Sequence, residues 1–221
     1  MSGAAWAVYG ASGCGRGILP LLRDSLPAAA RARLCFIDDA PTRGEINGHP
    51  ILTFADWLAE PATSRHVALA IANSAVRERL YARCLAAGVE VVGARAGNVV
   101  IMDDVEIGPG ALLSPFVTLT SNIRIGKAFH ANLYSYVEHD CVIGDFVTFA
   151  PGVKCNGNIV IEDHAYIGTG AIIRQGRPGE PLVIGRGAVV GMGAVVTRSV
   201  PPGVTVVGNP ARPLARAGGD A

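Results

Sequence analysis

The chain has 221 residues, half of them hydrophobic, enough for one large or two small domains with a sizeable core. Its 19 basic and 18 acidic residues leave a net charge of +1, so no basic stripe points to nucleic acid. Five cysteines (Cys14, Cys35, Cys84, Cys141, Cys155) without a Cys-x-x-Cys pair favour reduced thiols in a cytoplasmic protein over a disulfide frame or zinc knuckle. The apolar run Ala4 to Tyr9 is too short, and lacks the basic flank, for a signal peptide or membrane insertion.

Residues 1–93 read as alternating strands and helices. Trp6 to Tyr9 is a strand, and Gly10-Ala11-Ser12-Gly13-Cys14-Gly15 turns into a helix through Leu22. A second strand, Leu34 to Ile37, ends at Asp38-Asp39; an extended segment at Pro50 to Leu52 and a helix from Phe54 to Ala59 follow. His66 to Ile71 is a third strand, Asn73 or Ser74 caps a helix that stops at Gly88, and Val89 to Val92 closes the set. The alternation predicts a small Rossmann-like parallel sheet with ligand contacts at the carboxyl ends of its strands. The glycine turn admits a phosphate at the amino end of the following helix, or it is a tight turn alone. Asp38 and Asp39 fit a ribose contact or a solvated turn.

From Val99 to Val196 the pattern changes. Ile101, Ile107, Leu113, Leu119, Ile125, Ala131, Val137, Ile143, Phe149, Cys155, Ile161, Ile167 and Ile173 recur every six residues, and ten of these 13 are Ile, Leu or Val. A second apolar or small residue precedes each by two. This hexapeptide repeat fits a prism-like parallel β-helix, with one short strand and one corner per unit and three units per coil, so residues 18 apart should stack. The phase slips by five residues at Gln175 to Pro181 and resumes at Ile184, which predicts a loop projecting from one corner. Residues 94–221 are therefore assigned to the β-helix and its tail.

Within the repeat, His139 lies two residues past inward Val137 and should point outward. Beside Glu138 and Asp140 it is a candidate general base, since a carboxylate fixes the imidazole tautomer and supports the imidazolium. Gly157 stands 18 residues on, one coil above. Its N–H is a candidate oxyanion donor, or the glycine marks a corner of positive φ. Cys141 and Cys155 fall on inward positions and read as core.

The runs Glu138-His139-Asp140-Cys141-Val142-Ile143-Gly144-Asp145, Lys154-Cys155-Asn156-Gly157-Asn158 and Val207-Gly208-Asn209-Pro210-Ala211-Arg212 resemble the bacterial hexapeptide-repeat nucleotide-sugar acetyltransferases. That group includes the bacillosamine-pathway and perosamine N-acetyltransferases and relatives known as sialic acid O-acetyltransferases. The resemblance spans nearly the whole chain. It implies a left-handed β-helix after an α/β nucleotide-sugar domain, a homotrimer with sites between subunits, acetyl-CoA as co-substrate, and no metal. It implies His139 as base, Asp140 as its partner and the Gly157 amide as the group meeting the acetyl carbonyl. Thr148 departs from relatives that carry a second histidine there. For acetyl-CoA, the implied contacts are the loop after Ile173, with Arg174 and Arg177, and the tail with Gly208, Pro210 and Arg212. For the nucleotide-sugar they are Gly10, Ser12 and Gly13 at the diphosphate and Asp38 and Asp39 nearby. A carboxylate at Asp38 can accept from guanine's ring N–H and amino group together, a pair of donors that uracil does not present, and so favours GDP-perosamine over a UDP-linked amino sugar.

Two other classes share parts of this pattern. A γ-class carbonic anhydrase has the same β-helix and binds zinc through three histidines, but its close histidine pair is missing and His130, His139 and His164 lie at different phases of the repeat. A non-catalytic trimeric nucleotide-binding scaffold would need no base at 139.

Overall fold

A computed structural model describes residues 3–214. Its first part runs β1 (Ala5–Tyr9), α1 (Gly13–Ser25), a single turn α2 (Ala28–Arg31), β2 (Cys35–Ile37), β3 (Glu45–Ile46), β4 (His49–Leu52), α3 (Phe54–Ala59), β5 (Arg65–Leu69), α4 (Ser74–Ala86) and β6 (Glu90–Val91). The sheet order is β3-β4-β2-β1-β5-β6, parallel throughout except for the β3–β4 hairpin. β3 and α2 are additions to the expected elements, both under five residues and without periodicity, and α1 runs a turn beyond Leu22 to Ser25.

Alternation along β1 decides its packing. Ala5, Ala7 and Tyr9 pack with Phe54, Trp57 and Cys84 from α3 and α4, whereas Val8 packs with Ile18, Leu19 and Leu22 of α1. A central parallel strand covered on both faces is apolar throughout, as β1 is. Side-chain oxygens at the two predicted starts do cap helices: Thr53 accepts from Asp56 N at 3.1 Å and Asn73 from Val76 N at 3.0 Å.

The repeat builds a three-faced parallel β-helix. The first face carries Leu112–Leu113, His130–Ala131, Thr148–Phe149 and Tyr166–Ile167; the second carries Thr118–Leu119, Tyr136–Val137 and Lys154–Cys155; the third carries Ile123–Ile125, Cys141–Ile143 and Ile159–Ile161. Stacking follows the expected 18-residue step: Leu113 over Ala131, Ala131 over Phe149, Phe149 over Ile167. Above the slip the step becomes Ile167 to Val190 and Ile173 to Val196, a register of 23, so the extra five residues leave as a loop between the second and third faces. The inward positions, Cys141 and Cys155 included, form one continuous buried column.

The first face carries the sheet domain. Leu112 and Ala94 complete the core beneath α1. Arg77 of α4, with no exposed surface, donates to the Ile71 and Ala72 carbonyls on one side and to the Phe146 and Val147 carbonyls and Thr148 Oγ1 on the other. A fully buried guanidinium thus links the two parts through carbonyl dipoles, and burial draws its pKa down to about 10.

Candidate active site

His139 occupies the edge where the second face ends and the third begins. Its side chain is 44% exposed, outward as the phase required. Asp104, Asn122, Asp140 and Asn158 form a vertical row on this edge, each with φ between 53 and 58–59°, a left-handed corner that Asn and Asp tolerate better than most residues. The backbone therefore explains an Asx residue at 140, and the side chain adds a second role. Asp140 Oδ2 lies 2.7 Å from His139 Nδ1, and Asn122 Nδ2 donates to Asp140 Oδ1 at 3.1 Å. These two hydrogen bonds, His139's first, hold the exposed carboxyl below the usual carboxylate range. With Nδ1–H given to Asp140, Nε2 is left to accept a proton.

Gly157 sits directly against this ring. Its φ is not positive, so the corner explanation fails. Glycine is required there because a β-carbon would fall 2.5 Å from His139 Cε1. The Gly157 carbonyl accepts from Gly176 N at 3.0 Å, while its N–H has no protein acceptor among the described residues. Base and free amide thus share one edge, one coil apart.

The inserted loop leaves from the same edge, one coil higher. Arg174 and Arg177 line a recess of about 340 Å³ there together with Arg198, a cation the sequence alone did not single out. Gly208 (φ 90°), Pro210 and Arg212 lie in the exposed tail, which returns to the second face through hydrogen bonds with Val195. Thr148 is not on the His139 edge; it is on the first face and bound by Arg77.

The glycine turn lies at the carboxyl end of β1, where the chain crosses from β1 and β2 on one side to β5 on the other, the switch point at which open parallel sheets bind ligands. Gly10 (φ 106°) and Gly15 are fixed by packing, since a β-carbon on Gly15 would run into the Gly10 carbonyl. Gly13 meets no such restriction and faces a recess of about 360 Å³ with Ser12, Asp38, Arg16 and Arg43. The sequence alone singled out neither arginine; only the tertiary fold brings them beside Ser12. Asp38 lines this recess, with one oxygen accepting from Ala40 N at 3.0 Å. Asp39 points elsewhere, its oxygens engaged by the Tyr9 hydroxyl, Arg83 and Phe54 N. Its carboxylate closes the fold, which corrects the expectation that it faces a ligand.

None of the residues lining the Ser12 recess lies on the His139 edge. His130, His139 and His164 are likewise apart, on the first face, the second-to-third edge and the third-to-first edge.

Comparison with known proteins gives a consistent picture. Residues 6–84 match the family model of the PglD N-terminal domain. The chain is 48% identical to the GDP-perosamine N-acetyltransferase of Escherichia coli O157:H7 over 213 residues, 96% of each protein. WeeI from Acinetobacter baumannii AYE matches with a TM-score of 0.94 at 59% identity, covering 96% of this chain and 100% of that one. The acetyltransferase domain of PglB from Neisseria gonorrhoeae FA1090, solved in complex with acetyl coenzyme A, matches with a TM-score of 0.81 at 27% identity, covering 95% and 98%.

Proposed function

The chain belongs to the hexapeptide-repeat nucleotide-sugar acetyltransferases, with their left-handed β-helix, and from that premise we propose that it moves the acetyl group of acetyl-CoA onto the 4-amino group of a nucleotide-linked 4,6-dideoxy sugar, GDP-perosamine. The observation that carries the chemistry is the pairing of an Asp140-oriented His139 with the free Gly157 N–H on one edge.

In this reading the sugar amine attacks the thioester carbonyl and His139 Nε2 takes its proton. Asp140 supports the imidazolium, and Gly157 N–H donates to the oxyanion. Collapse of the intermediate breaks the C–S bond, and the coenzyme A thiolate leaves, taking the proton back from His139. Cys141 and Cys155 are buried and have no part in the transfer. The arginine recess of Arg174, Arg177 and Arg198 supplies charge for the coenzyme's phosphates, with Arg212 and the Gly208–Pro210 turn as further contacts. Residues 1–93 hold the nucleotide at Ser12, Gly13, Arg16, Asp38 and Arg43, and residues 94–221 carry out the transfer.

The placement of the parts supports a homotrimer. The nucleotide domain covers the first face, whereas His139 lies on the opposite edge of the prism. A sugar held by one subunit reaches a His139 more readily on a neighbour. Phe116 and Tyr134, stacked at 4.8 Å and 52% and 64% exposed, offer an apolar contact for that neighbour. No helix among the described residues is long and apolar enough to cross a membrane. The free cysteines suit the reducing cytoplasm, where we place the enzyme.

The test is coenzyme A thiol release from acetyl-CoA with GDP-perosamine, a UDP-4-amino sugar and a sialic acid as parallel acceptors. Rapid release with GDP-perosamine, abolished in His139→Asn, is the expected result. Release with sialic acid alone would assign an O-acetyltransferase, and silence with every acceptor would reject the transferase reading.

A further inference from the structure

Two inward columns of the β-helix are each broken once. On the second face Leu119, Val137, Ile173 and Val196 share a column with Cys155. On the third, Val105, Ile123, Ile159 and Leu182 share one with Cys141. The two cysteines flank one corner, Asn156-Gly157-Asn158, and their sulfurs face one atom there. The main-chain oxygen of Asn156 lies 3.2 Å from Cys141 Sγ and 3.9 Å from Cys155 Sγ. Aliphatic residues fill these columns everywhere else, so packing alone does not call for a thiol.

The peptide between Asn156 and Gly157 lacks the bond that fixes its neighbours. The Cys155 carbonyl accepts from Glu138 N at 2.9 Å and the Gly157 carbonyl from Gly176 N at 3.0 Å, but no backbone N–H reaches the Asn156 carbonyl among the described residues. The Asn156 side chain is tied, with Nδ2 donating to the Ile173 carbonyl and Oδ1 accepting from the Tyr136 hydroxyl, each at 2.9 Å. That anchors the residue and leaves its peptide plane free to turn over. Such a turn changes ψ of Asn156 and φ of Gly157 together, and glycine accepts a new φ where a residue with a β-carbon resists it. The glycine that the His139 ring demands therefore loosens the very peptide whose N–H is to meet the oxyanion.

We infer that Cys141 is a positioning residue for the transfer: its thiol donates to the Asn156 carbonyl and so holds the Gly157 N–H outward, beside His139. In a planar trans peptide the C=O and N–H of one unit point opposite ways. With the oxygen turned in to a sulfur whose residue is 1% exposed, the N–H faces out. The thiol has one proton and two carbonyls in reach, and that of His139, at 3.5 Å, already accepts from Asn158 N. A thiolate would meet both carbonyl oxygens, so the sulfur keeps its proton. An S–H is a weak donor, but it has only to choose between two orientations of one peptide. Neither sulfur touches the reactants. This role rests on the transferase reading above, with the Gly157 N–H as oxyanion donor, and adds to it the residue that aims the donor.

Thermal unfolding of Cys141→Ser, Cys141→Ala and Cys141→Val, with steady-state kinetics on acetyl-CoA and GDP-perosamine, tests this. Packing favours Val, which follows the column's aliphatic rule, over Ser, whose hydroxyl enters an apolar core, and the melting temperatures should take that order. Aiming favours Ser, whose O–H donates to the same carbonyl. The kcat values should therefore run in reverse, with Ser near wild type and Ala and Val each down roughly 10-fold, a part of what one oxyanion donor contributes. The KM for acetyl-CoA should not change. Cys155→Val, on the longer contact, should lower kcat less than Cys141→Val. A kcat that follows the melting temperatures, or a KM for acetyl-CoA that rises in step as kcat falls, would overturn the role of Cys141. A wild-type protein that acetylates neither GDP-perosamine nor the parallel acceptors would overturn the transferase reading and this role with it. That failure shows in the wild type, the other only in the variants.

Discussion

The Cα of Gly157 lies against the imidazole of His139, so close that a β-carbon would fall 2.6 Å from Nε2 and 3.0 Å from Nδ1. Gly157→Ala therefore pushes the ring off its Asp140 bond without straining the backbone. We expect kcat to fall on the order of 10²-fold or more, the scale of a misplaced base, with little change in KM for acetyl-CoA. Steady-state kinetics with acetyl-CoA varied decide it. Proportional losses in kcat and coenzyme binding would assign Gly157 to coenzyme binding instead.

Asp140 is held from both sides, by His139 and by Asn122. Asp140→Asn preserves the corner conformation but not the charge that supports an imidazolium. Turnover should drop at least about 10-fold, a part of what a positioned base contributes. Asn122→Ala should lower it less, since the carboxylate remains. Because the carboxyl is depressed in the folded protein, its ionised form persists as pH falls through the ordinary carboxylate range. Equal turnover in Asp140→Asn and wild type would remove the carboxylate from the mechanism.

The repeat was legible because its constraint is strictly local: each sixth residue points inward whatever lies elsewhere, so Ile101 to Ile173 announce the coil and the slip at Gln175 announces the loop. His139 and Gly157 were paired by the same arithmetic. The reason for glycine at 157 was not legible, since it depends on an imidazole a coil away. Arg77 was equally hidden: in sequence it is one of three arginines on α4, with Arg79 and Arg83, and its carbonyl partners lie about 70 residues on. Arg16 and Arg43 join the Ser12 recess only when β1 and β2 pair. Asp38 and Asp39 are adjacent in sequence, yet only tertiary contacts with Tyr9, Phe54 and Arg83 take Asp39 out of the recess.

Arg198 enters the recess of Arg174 and Arg177, proposed above for the coenzyme's phosphates, from the coil above Arg174. An arginine–phosphate contact is a charge-assisted hydrogen bond, worth roughly 1.5–3 kcal/mol. Arg198→Ala should raise KM for acetyl-CoA about 10-fold and leave the KM for the amino sugar alone. Initial rates with each substrate varied in turn separate these, and an unchanged acetyl-CoA KM would return Arg198 to the solvated surface.

Arg77 joins the sheet domain to the first face through carbonyl oxygens from both. Arg77→Met fills much of the volume but strands those acceptors. At roughly 1–3 kcal/mol for each stranded acceptor, the melting temperature should fall by several degrees at fixed protein concentration. Arg77→Lys should fall nearly as far, because one ammonium cannot span both sides. A melting temperature unchanged in both variants would show that the joint is held by its other contacts, Leu112 beneath α1 and Tyr81 against Phe146 among them.

His130 gives the fold a pH dependence of definite sign. Burial, and then the Arg77 charge, place its pKa well below the ordinary value of 6.5, and the Leu69 carbonyl opposes this only in part. The unfolded chain therefore takes up a proton near pH 6.5 that the folded chain refuses. Between those two pKa values the unfolded state binds more protons, so stability decreases as pH falls, by up to about 1.4 kcal/mol per pH unit. Above about pH 7.5, where both forms are neutral, this contribution is flat. His130→Gln removes the titration while keeping polarity. Thermal or denaturant unfolding from pH 8 to 5 should show wild type losing stability relative to His130→Gln below about pH 6.5. Parallel curves would mean that His130 is protonated inside the fold, which neither its buried setting nor the adjacent guanidinium permits.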